Sequence, residues 1–162
     1  LVMQIPNRLE LVAEVSDYLL GLTEGFLPGE AYFGLHTGLY ELIMNAIEHG
    51  NLGITFEEKR RCLLTGPERF YDLIEKRLQD PPLAQRFVTI EFKMRTGRCE
   101  WIIQDEGNGF DWMAVPNPFL PENLEAVNGR GIFLARFQFD ELTFLGNGNR
   151  VRAVKYLPKD LS

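Results

Sequence analysis

The chain has 162 residues, of which 45% are hydrophobic and 12% aromatic, so it is long enough and apolar enough to bury the core of one domain. Its formal net charge of -6 argues against a nucleic-acid partner, because such a surface repels phosphate. The sequence shows no secretion signal and no apolar run near the roughly 20 residues of a membrane span, so we expect a cytoplasmic protein without a membrane partner.

The first part of the chain predicts one strand and two helices. VMQIP, residues 2–6, has the pattern of a short strand, and Asn7 is expected to cap the helix that follows it. A second helix is predicted from Glu30 to His49. Gly50 is expected to end that helix in the left-handed conformation that glycine tolerates best.

The stretch 55–86 is more charged than the segments on either side of it. It contains EEKRR, a break at Gly66-Pro67 and the helical pattern ERFYDLIEKRL, which together indicate one or two helices. We interpret these helices as a solvated insertion. The alternative, a surface for a partner in a larger multidomain signalling protein, stays open.

The second part of the chain changes from helical to strand periodicity. RFVTIEFKMR and RCEWIIQDE predict a hairpin around Thr96-Gly97, and ELTFLG and NRVRAVKYL predict another around Asn147-Gly148. Between them lie a glycine- and proline-rich loop, 107–131, and a short helix, IFLARFQF. Helices early and strands late predict an α+β fold, a two-layer sandwich of one mixed, mostly antiparallel sheet with helices on one face.

Three polar residues form a stripe along the second predicted helix. Glu41, Asn45 and His49 are spaced four residues apart within YELIMNAIEHGN, so they lie on one face of an α-helix. The residues between them are mainly apolar and point toward a core. Such a stripe is either a satisfied buried network or a binding surface.

Two glycine-containing segments follow later, DEGNGF at 105–110 and NGRGIFL at 128–134. Taken singly, the first is typical of a turn and the second of a helix start. Other phosphate-binding and hydrolytic designs are excluded, since the chain has no Gly-Lys pair, no G-x-G-x-x-G after a strand and no HExxH. The only serines, Ser16 and Ser162, lie outside any motif.

In this order and spacing, the three segments resemble the ATP-binding boxes of the histidine-kinase/gyrase/Hsp90-type ATPases, which share the Bergerat fold. The closer resemblance is to the bacterial anti-sigma factor serine/threonine kinases. ELIMNAIEHGN is similar to the N box of that family, DEGNGF to its D-x-G-x-G box and GRGIFL to its second glycine box. The resemblance covers most of the chain and implies a single domain, 1–162, with the insertion at about 55–86 and an ATP lid at about 107–131.

The residue types suit the roles that this resemblance implies. Asn45 offers a neutral amide oxygen, a hard ligand of the kind that Mg²⁺ prefers. Glu41, one turn earlier, is placed to accept a proton from an attacking hydroxyl or water near the γ-phosphate. Asp105 is expected to accept a hydrogen bond from the amino group of adenine. His49 is either a ligand contact or only a cap at the end of the helix.

The glycines of the boxes are expected to open the site to the nucleotide. Gly107 lets the base approach the backbone, since a β-carbon would intrude. Gly109, Gly129 and Gly131 supply hinges and exposed amides around the lid, and the last pair lies at a helix start, where N–H groups favour phosphate. Arg130 either reaches a phosphate or is a solvated arginine of the lid.

The family resemblance implies a kinase that uses ATP and Mg²⁺ to phosphorylate a STAS-domain anti-anti-sigma partner and that sequesters a sigma factor in alternation. An autokinase is excluded for these residues, since the only histidines, His36 and His49, lie on the helix of the N box. Two alternatives stay open: a nucleotide-dependent protein-binding module with little or no kinase activity, and a regulatory domain of a larger signalling protein. Self-association into a homodimer is also left open.

Overall fold

The structure, a computed structural model, describes residues 1–110 and 130–158. The helices in these ranges are α1 (Val12–Gly21), α2 (Tyr32–Asn45), α3 (Phe56–Thr65), α4 (Pro67–Leu78), α5 (Pro81–Ala84) and α6 (Arg130–Gln138). The strands are β1 (Val2–Pro6), β2 (Phe87–Arg95), β3 (Arg98–Gln104), β4 (Glu141–Leu145) and β5 (Arg150–Tyr156). Short 3₁₀ turns, Leu9–Leu11 and Gly29–Ala31, precede α1 and α2. None of the helices in the two described ranges is long and apolar enough to cross a membrane.

The five strands form one sheet in the order β1-β2-β3-β5-β4, and each of the four described pairings is antiparallel. Both predicted hairpins are confirmed, and Gly97 adopts a positive φ of 74° in the turn of the first. Alternate strand residues enter the core, where they meet apolar residues of α1, α2 and α6. The predicted α+β two-layer fold is therefore confirmed, with a sheet that is antiparallel rather than mixed in its described part.

The centre of the core fixes the distance between the sheet and the helices. Trp101 of β3 is fully buried and lies between the rings of Phe92, at 5.5 Å, and Phe139, at 5.8 Å.

Helix α2 crosses α6 closely because two of its residues lack a side chain. A β-carbon at Gly38 would come within 2.7 Å of the Phe139 ring, and one at Gly34 would overlap Gln138. This crossing brings the first turn of α6 next to the polar stripe of α2.

The end of the second helix differs from the prediction. Instead of stopping at Gly50, the chain passes from α2 into a π-helical turn, Ala46–Asn51. Gly50 does not have a positive φ; the left-handed residue is Gly53, at φ 60°. The expectation that Gly50 ends the helix was therefore wrong. Gly50 is required for a different reason, which involves Asp105.

The predicted cap at Asn7 is also wrong. The helical segment after β1 begins after Arg8, and no side chain caps it. The buried amide of Asn7 forms hydrogen bonds with other segments instead. Its nitrogen donates to the Leu83 carbonyl at 2.9 Å, and its oxygen accepts from the Asn51 amide at 2.7 Å. A buried amide loses more free energy when unpaired than an exposed helix end gains from a cap, so the long-range contacts prevail.

The charged stretch 55–86 folds into two helices, as predicted, and the short α5. Thr55 and Glu58 form a reciprocal capping box at the start of α3. The helices are amphipathic rather than solvated on all sides, since Phe70 and Ile74 of α4 belong to the core. The interpretation of this stretch as an insertion stays a prediction.

Candidate functional site

A recess opens between α2 with its π-helical turn, the end of β3 and the turn between β4 and β5. With its open mouth it encloses about 480 Å³. Asn45 and His49 line it from the helix side, and Asp105 and Gly109 line it from the sheet side. Ile132 of the third predicted segment also lines the recess, so the structure brings all three predicted segments to one cavity.

Asp105 lies directly after β3, and only 8% of it is exposed. One carboxylate oxygen, Oδ1, accepts a hydrogen bond from the Gly107 amide at 2.8 Å. Burial raises the pKa of Asp105 to about 6, although the hydrogen bond from Gly107 and the cation of Arg86 oppose the rise. The carboxyl is therefore mostly ionised near pH 7 and is an acceptor for a ligand N–H.

The raised pKa of Asp105 predicts how the stability of the nucleotide-free protein depends on pH. A carboxyl whose pKa is higher in the folded state holds its proton more tightly there, so stability falls as pH rises from about 4 to about 6. Asp105→Asn removes this loss and is expected to stabilise the nucleotide-free protein by up to about 3 kcal/mol at pH 7.5. Urea unfolding of the variant and the parent at pH 7.5 and at pH 4 measures this difference in the free energy of unfolding. An equal difference between variant and parent at both pH values would contradict it.

Two glycines make room for the Asp105 carboxyl. A β-carbon at Gly50 would come within 2.6 Å of both carboxylate oxygens, and one at Gly107 would overlap the carbonyl of Gly50. The aspartate, the turn after it and the π-helical turn therefore pack with no space for a methyl group. In sequence, Gly50 gives no sign of this contact, because its partner lies more than 50 residues away.

Gly50→Ala is expected to destabilise the fold by about 1–3 kcal/mol and to weaken ligand binding, because the methyl group must displace Asp105. The matched control is Gly21→Ala at the end of α1, where a β-carbon meets nothing within 4 Å. That control is expected to be neutral or slightly stabilising. Thermal unfolding of the two variants against the parent provides the measurement. Equal melting temperatures for both variants would show that the contact is unimportant.

Asn45 presents a polar group in the wall of the recess. Its Nδ2 is buried, and within residues 1–110 and 130–158 it has no hydrogen-bond partner. Rotating the amide by 180° exchanges nitrogen and oxygen, so the same position presents either a donor or an acceptor to a ligand. A buried polar group without a protein partner is uncommon and fits a group that a bound ligand completes.

Glu41 belongs to α2, one turn before Asn45, and its side chain lies against the start of α6. A β-carbon at Gly131 would overlap the Glu41 carboxylate, so the glycine lets the carboxylate approach the first turn of that helix. Burial raises the pKa of Glu41, and the ammonium of Lys59 opposes this rise. The third predicted segment thus meets the first at Gly131.

The remainder of the predicted lid falls mainly on residues 111–129, which lie outside the described residues. Gly129 is among them. Arg130 begins α6, but its side chain is also outside the description. Gly109 is described and has a φ of 77°; a β-carbon there would overlap the carbonyl of Asn147. It therefore fixes this loop against the turn between β4 and β5.

His49 is held by its own surroundings while it lines the recess. Its Nδ1–H donates to the Ile54 carbonyl at 2.5 Å, and its ring lies 4.1 Å from that of Phe56. Burial lowers the pKa of His49 to about 4, so the imidazole is neutral at physiological pH. The accepting carbonyl lies beyond the helix, so His49 fixes the following loop rather than capping the last turn.

Asn51 organises the site and was not predicted to do so. It is fully buried; its amide nitrogen donates to Asn7, and its oxygen accepts from the Glu106 backbone at 2.8 Å. Its carbonyl accepts from Arg86 at 2.8 Å. Asn51 thus ties the end of β1, the π-helical turn and the turn after β3 together. Its place at the end of the N-box segment was the only available signal.

The first turn of α3 supplies a further wall that the sequence interpretation did not include. Phe56 lines the recess and lies 6.4 Å from Phe110, which in turn lies 5.5 Å from Phe144. Three aromatic rings from three separate segments therefore border the cavity. Phe110 ends the DEGNGF segment, whereas no local pattern marks Phe56 or Phe144.

The fold and the recess together define a nucleotide-binding ATPase domain. Over residues 5–155 the chain matches the histidine kinase-like ATPase domain family, and it belongs to that family. A comparison with curated proteins gives no match. Membership of this family implies that the domain binds ATP.

Proposed function

We propose that the chain is a serine/threonine protein kinase of the anti-sigma type, which acts in the cytoplasm on a STAS-type anti-anti-sigma partner. The observation that carries this proposal is the position of Glu41. Its half-buried carboxylate lies against the start of α6, one turn from Asn45 in the recess wall. Holding a nucleotide does not require a carboxylate there, whereas deprotonating an attacking hydroxyl does.

The same geometry supports a proposal for the positions of the base and phosphate ends of the nucleotide. Asp105 accepts a hydrogen bond from the exocyclic amine of adenine, while its Oδ1 is kept in place by Gly107. Asp105 lines the recess on its sheet side, and Glu41 lies beside Gly131 at the start of α6. The triphosphate then extends from Asp105 toward α6, whose first turn favours anions.

Asn45 is the residue that would hold Mg²⁺. Its buried Nδ2 lacks a hydrogen-bond partner in the described part of the chain, and rotating the amide by 180° would place the oxygen, the atom that can bind Mg²⁺, at that position. When bound, Mg²⁺ neutralises phosphate charge. The oxygen of the partner's hydroxyl attacks the γ-phosphorus and its proton passes to Glu41, while the bond to the β-phosphate oxygen breaks and ADP leaves.

The test is to incubate the protein with γ-labelled ATP and with candidate STAS-domain proteins. We expect acid-stable label on a serine or threonine of one partner, and no label when that residue is replaced by alanine. The same partner with unlabelled ADP serves as the binding control. Nucleotide-dependent partner binding without label would overturn the kinase proposal in favour of a binding module, and binding of a sigma factor in alternation would extend it.

A further inference from the structure

The charged stretch 55–86 ends at Arg86, and Phe87 begins β2 directly after it. Two hydrogen bonds join this pair of residues to segments of the nucleotide site. The guanidinium of Arg86 donates through Nη1 to the Asn51 carbonyl at 2.8 Å. The backbone N–H of Phe87 donates to the Glu106 carboxylate, at Oε2, over 2.6 Å. The end of the charged stretch therefore contacts both the π-helical turn and the turn after β3.

The bond from Arg86 satisfies a group that the helix itself cannot satisfy. Asn51 is the last residue of the π-helical turn, and the final carbonyls of a helix have no N–H within it from which to accept. Because Asn51 is fully buried, its carbonyl would otherwise lose hydration without gaining a partner. A guanidinium donor makes a charge-assisted hydrogen bond, which is stronger than a neutral one. Arg86 therefore fixes the end of the π-helical turn.

The end of the π-helical turn also holds Asp105 in place. Gly50 packs so closely against the Asp105 carboxyl that a β-carbon on the glycine would lie 2.2 Å from Cγ. The side-chain oxygen of Asn51 accepts from the N–H of Glu106 at 2.8 Å. A shift of Asn51 would therefore change both the surface on which the carboxyl lies and the backbone that follows it.

Glu106 follows Asp105 in the chain and is anchored twice. Its N–H is bound by Asn51, and its carboxylate accepts from Phe87. On the other flank, the N–H of Asp105 donates to the Asn149 carbonyl at 3.0 Å. The backbone around the aspartate is thus held on both flanks. Since the Glu106 side chain is exposed, its removal is expected to leave the core intact.

We propose that Arg86 and Glu106 are positioning residues for base recognition, each holding Asp105 where its carboxyl meets adenine. Arg86 acts through Asn51, and Glu106 acts through the backbone next to the aspartate. The inference rests on the part of the proposed function in which Asp105 accepts from the adenine amine. It makes the end of the charged stretch 55–86 a support of the nucleotide site. A partner that displaces this end would weaken ATP binding without entering the recess.

The first test measures the affinity of Arg86→Met for ATP and for inorganic triphosphate, by competition against a fluorescent ATP analogue. ATP is expected to bind about tenfold more weakly than to the parent, because a charge-assisted hydrogen bond that supports the site is lost. Triphosphate, which has no base, is expected to bind equally. At pH 8, Asp105, with its pKa of about 6, stays ionised, so the comparison reports position rather than protonation.

Two further variants complete this arm of the test. Arg86→Lys keeps a charged donor and is expected to recover part of the lost ATP affinity. The matched control is Arg69→Met, which removes an exposed arginine of α4 and is expected to bind both ligands as the parent does.

The second arm uses Glu106→Ala, which keeps the inference testable if Arg86→Met does not fold. It is expected to show the same selective loss of ATP affinity. Glu106→Gln, whose amide oxygen can still accept from the Phe87 N–H, is expected to restore it. The control is Glu75→Ala, at an exposed position of α4, and it is expected to match the parent.

Parent-like ATP affinity in a folded Arg86→Met or Glu106→Ala removes that residue from the role. An equal loss of ATP and triphosphate shows general damage to the fold and also overturns the inference. Unchanged ATP affinity in Asp105→Asn overturns the role of the aspartate, and this inference with it. None of these measurements needs phosphoryl transfer, so a failure of the kinase proposal is seen separately.

Discussion

Glu41→Ala is expected to leave ATP bound to the protein and to slow phosphoryl transfer by about 10²–10⁴-fold, the usual contribution of a general base. The carboxylate lies against Gly131 and not beside Asp105, so its removal leaves the adenine end of the recess intact. Alanine also introduces no clash at the first turn of α6. Calorimetric titration with ATP and a single-turnover transfer assay measure the two effects separately.

The matched control for this prediction is Glu30→Ala, which removes an exposed glutamate just before α2. It is expected to change neither ATP affinity nor transfer rate, because a lone surface charge contributes little. Equal transfer rates in Glu41→Ala and in the parent would remove Glu41 from the mechanism. A parallel loss of ATP affinity would instead make it a binding residue.

Asp105→Asn is expected to weaken ATP by about 10- to 100-fold, because a charge-assisted hydrogen bond to the adenine amine is lost. Asparagine has nearly the same size, so the packing against Gly50 and Gly107 is retained. Inorganic triphosphate, which has no base, is expected to bind parent and variant alike. Competition of each ligand against a fluorescent ATP analogue gives the comparison.

The control is Asp72→Asn, at an exposed position of α4, which is expected to bind ATP as the parent does. Because Asp105→Asn is also expected to stabilise the nucleotide-free protein, weaker binding cannot be ascribed to unfolding. The variant would then be more stable and less functional, a known trade at sites that bury a charge for binding. Unchanged ATP affinity would show that Asp105 does not contact the base.

Local periodicity was enough to predict most of the fold. The two hairpins follow from alternation in β2–β3 and β4–β5 and from glycines at the turns, and each pattern spans fewer than 25 residues. The site could be predicted in part because its polar residues lie in short motifs. Asn45, His49 and Asp105 do share one recess, as expected from the order of the motifs.

The errors and omissions have a common physical cause. Gly50 was assigned to a helix end because local propensity was the only available information, whereas the structure needs it for contact with Asp105. Lys59 was interpreted as part of a solvated run, although its partner is the buried Glu48. Each depends on a contact between distant segments, and a single sequence carries no local trace of such a contact.

The π-helical turn after α2 affects how this protein should be aligned with others. A π turn takes about one residue more than an α turn to advance along the same axis, so the segment Ala46–Asn51 is locally lengthened. A relative that keeps a regular α-helix here would present an equivalent of Asn51 one position earlier in its numbering. A single-residue gap in this helix would then be a genuine structural insertion, and closing it would pair the wrong side chains in the residues that follow the turn.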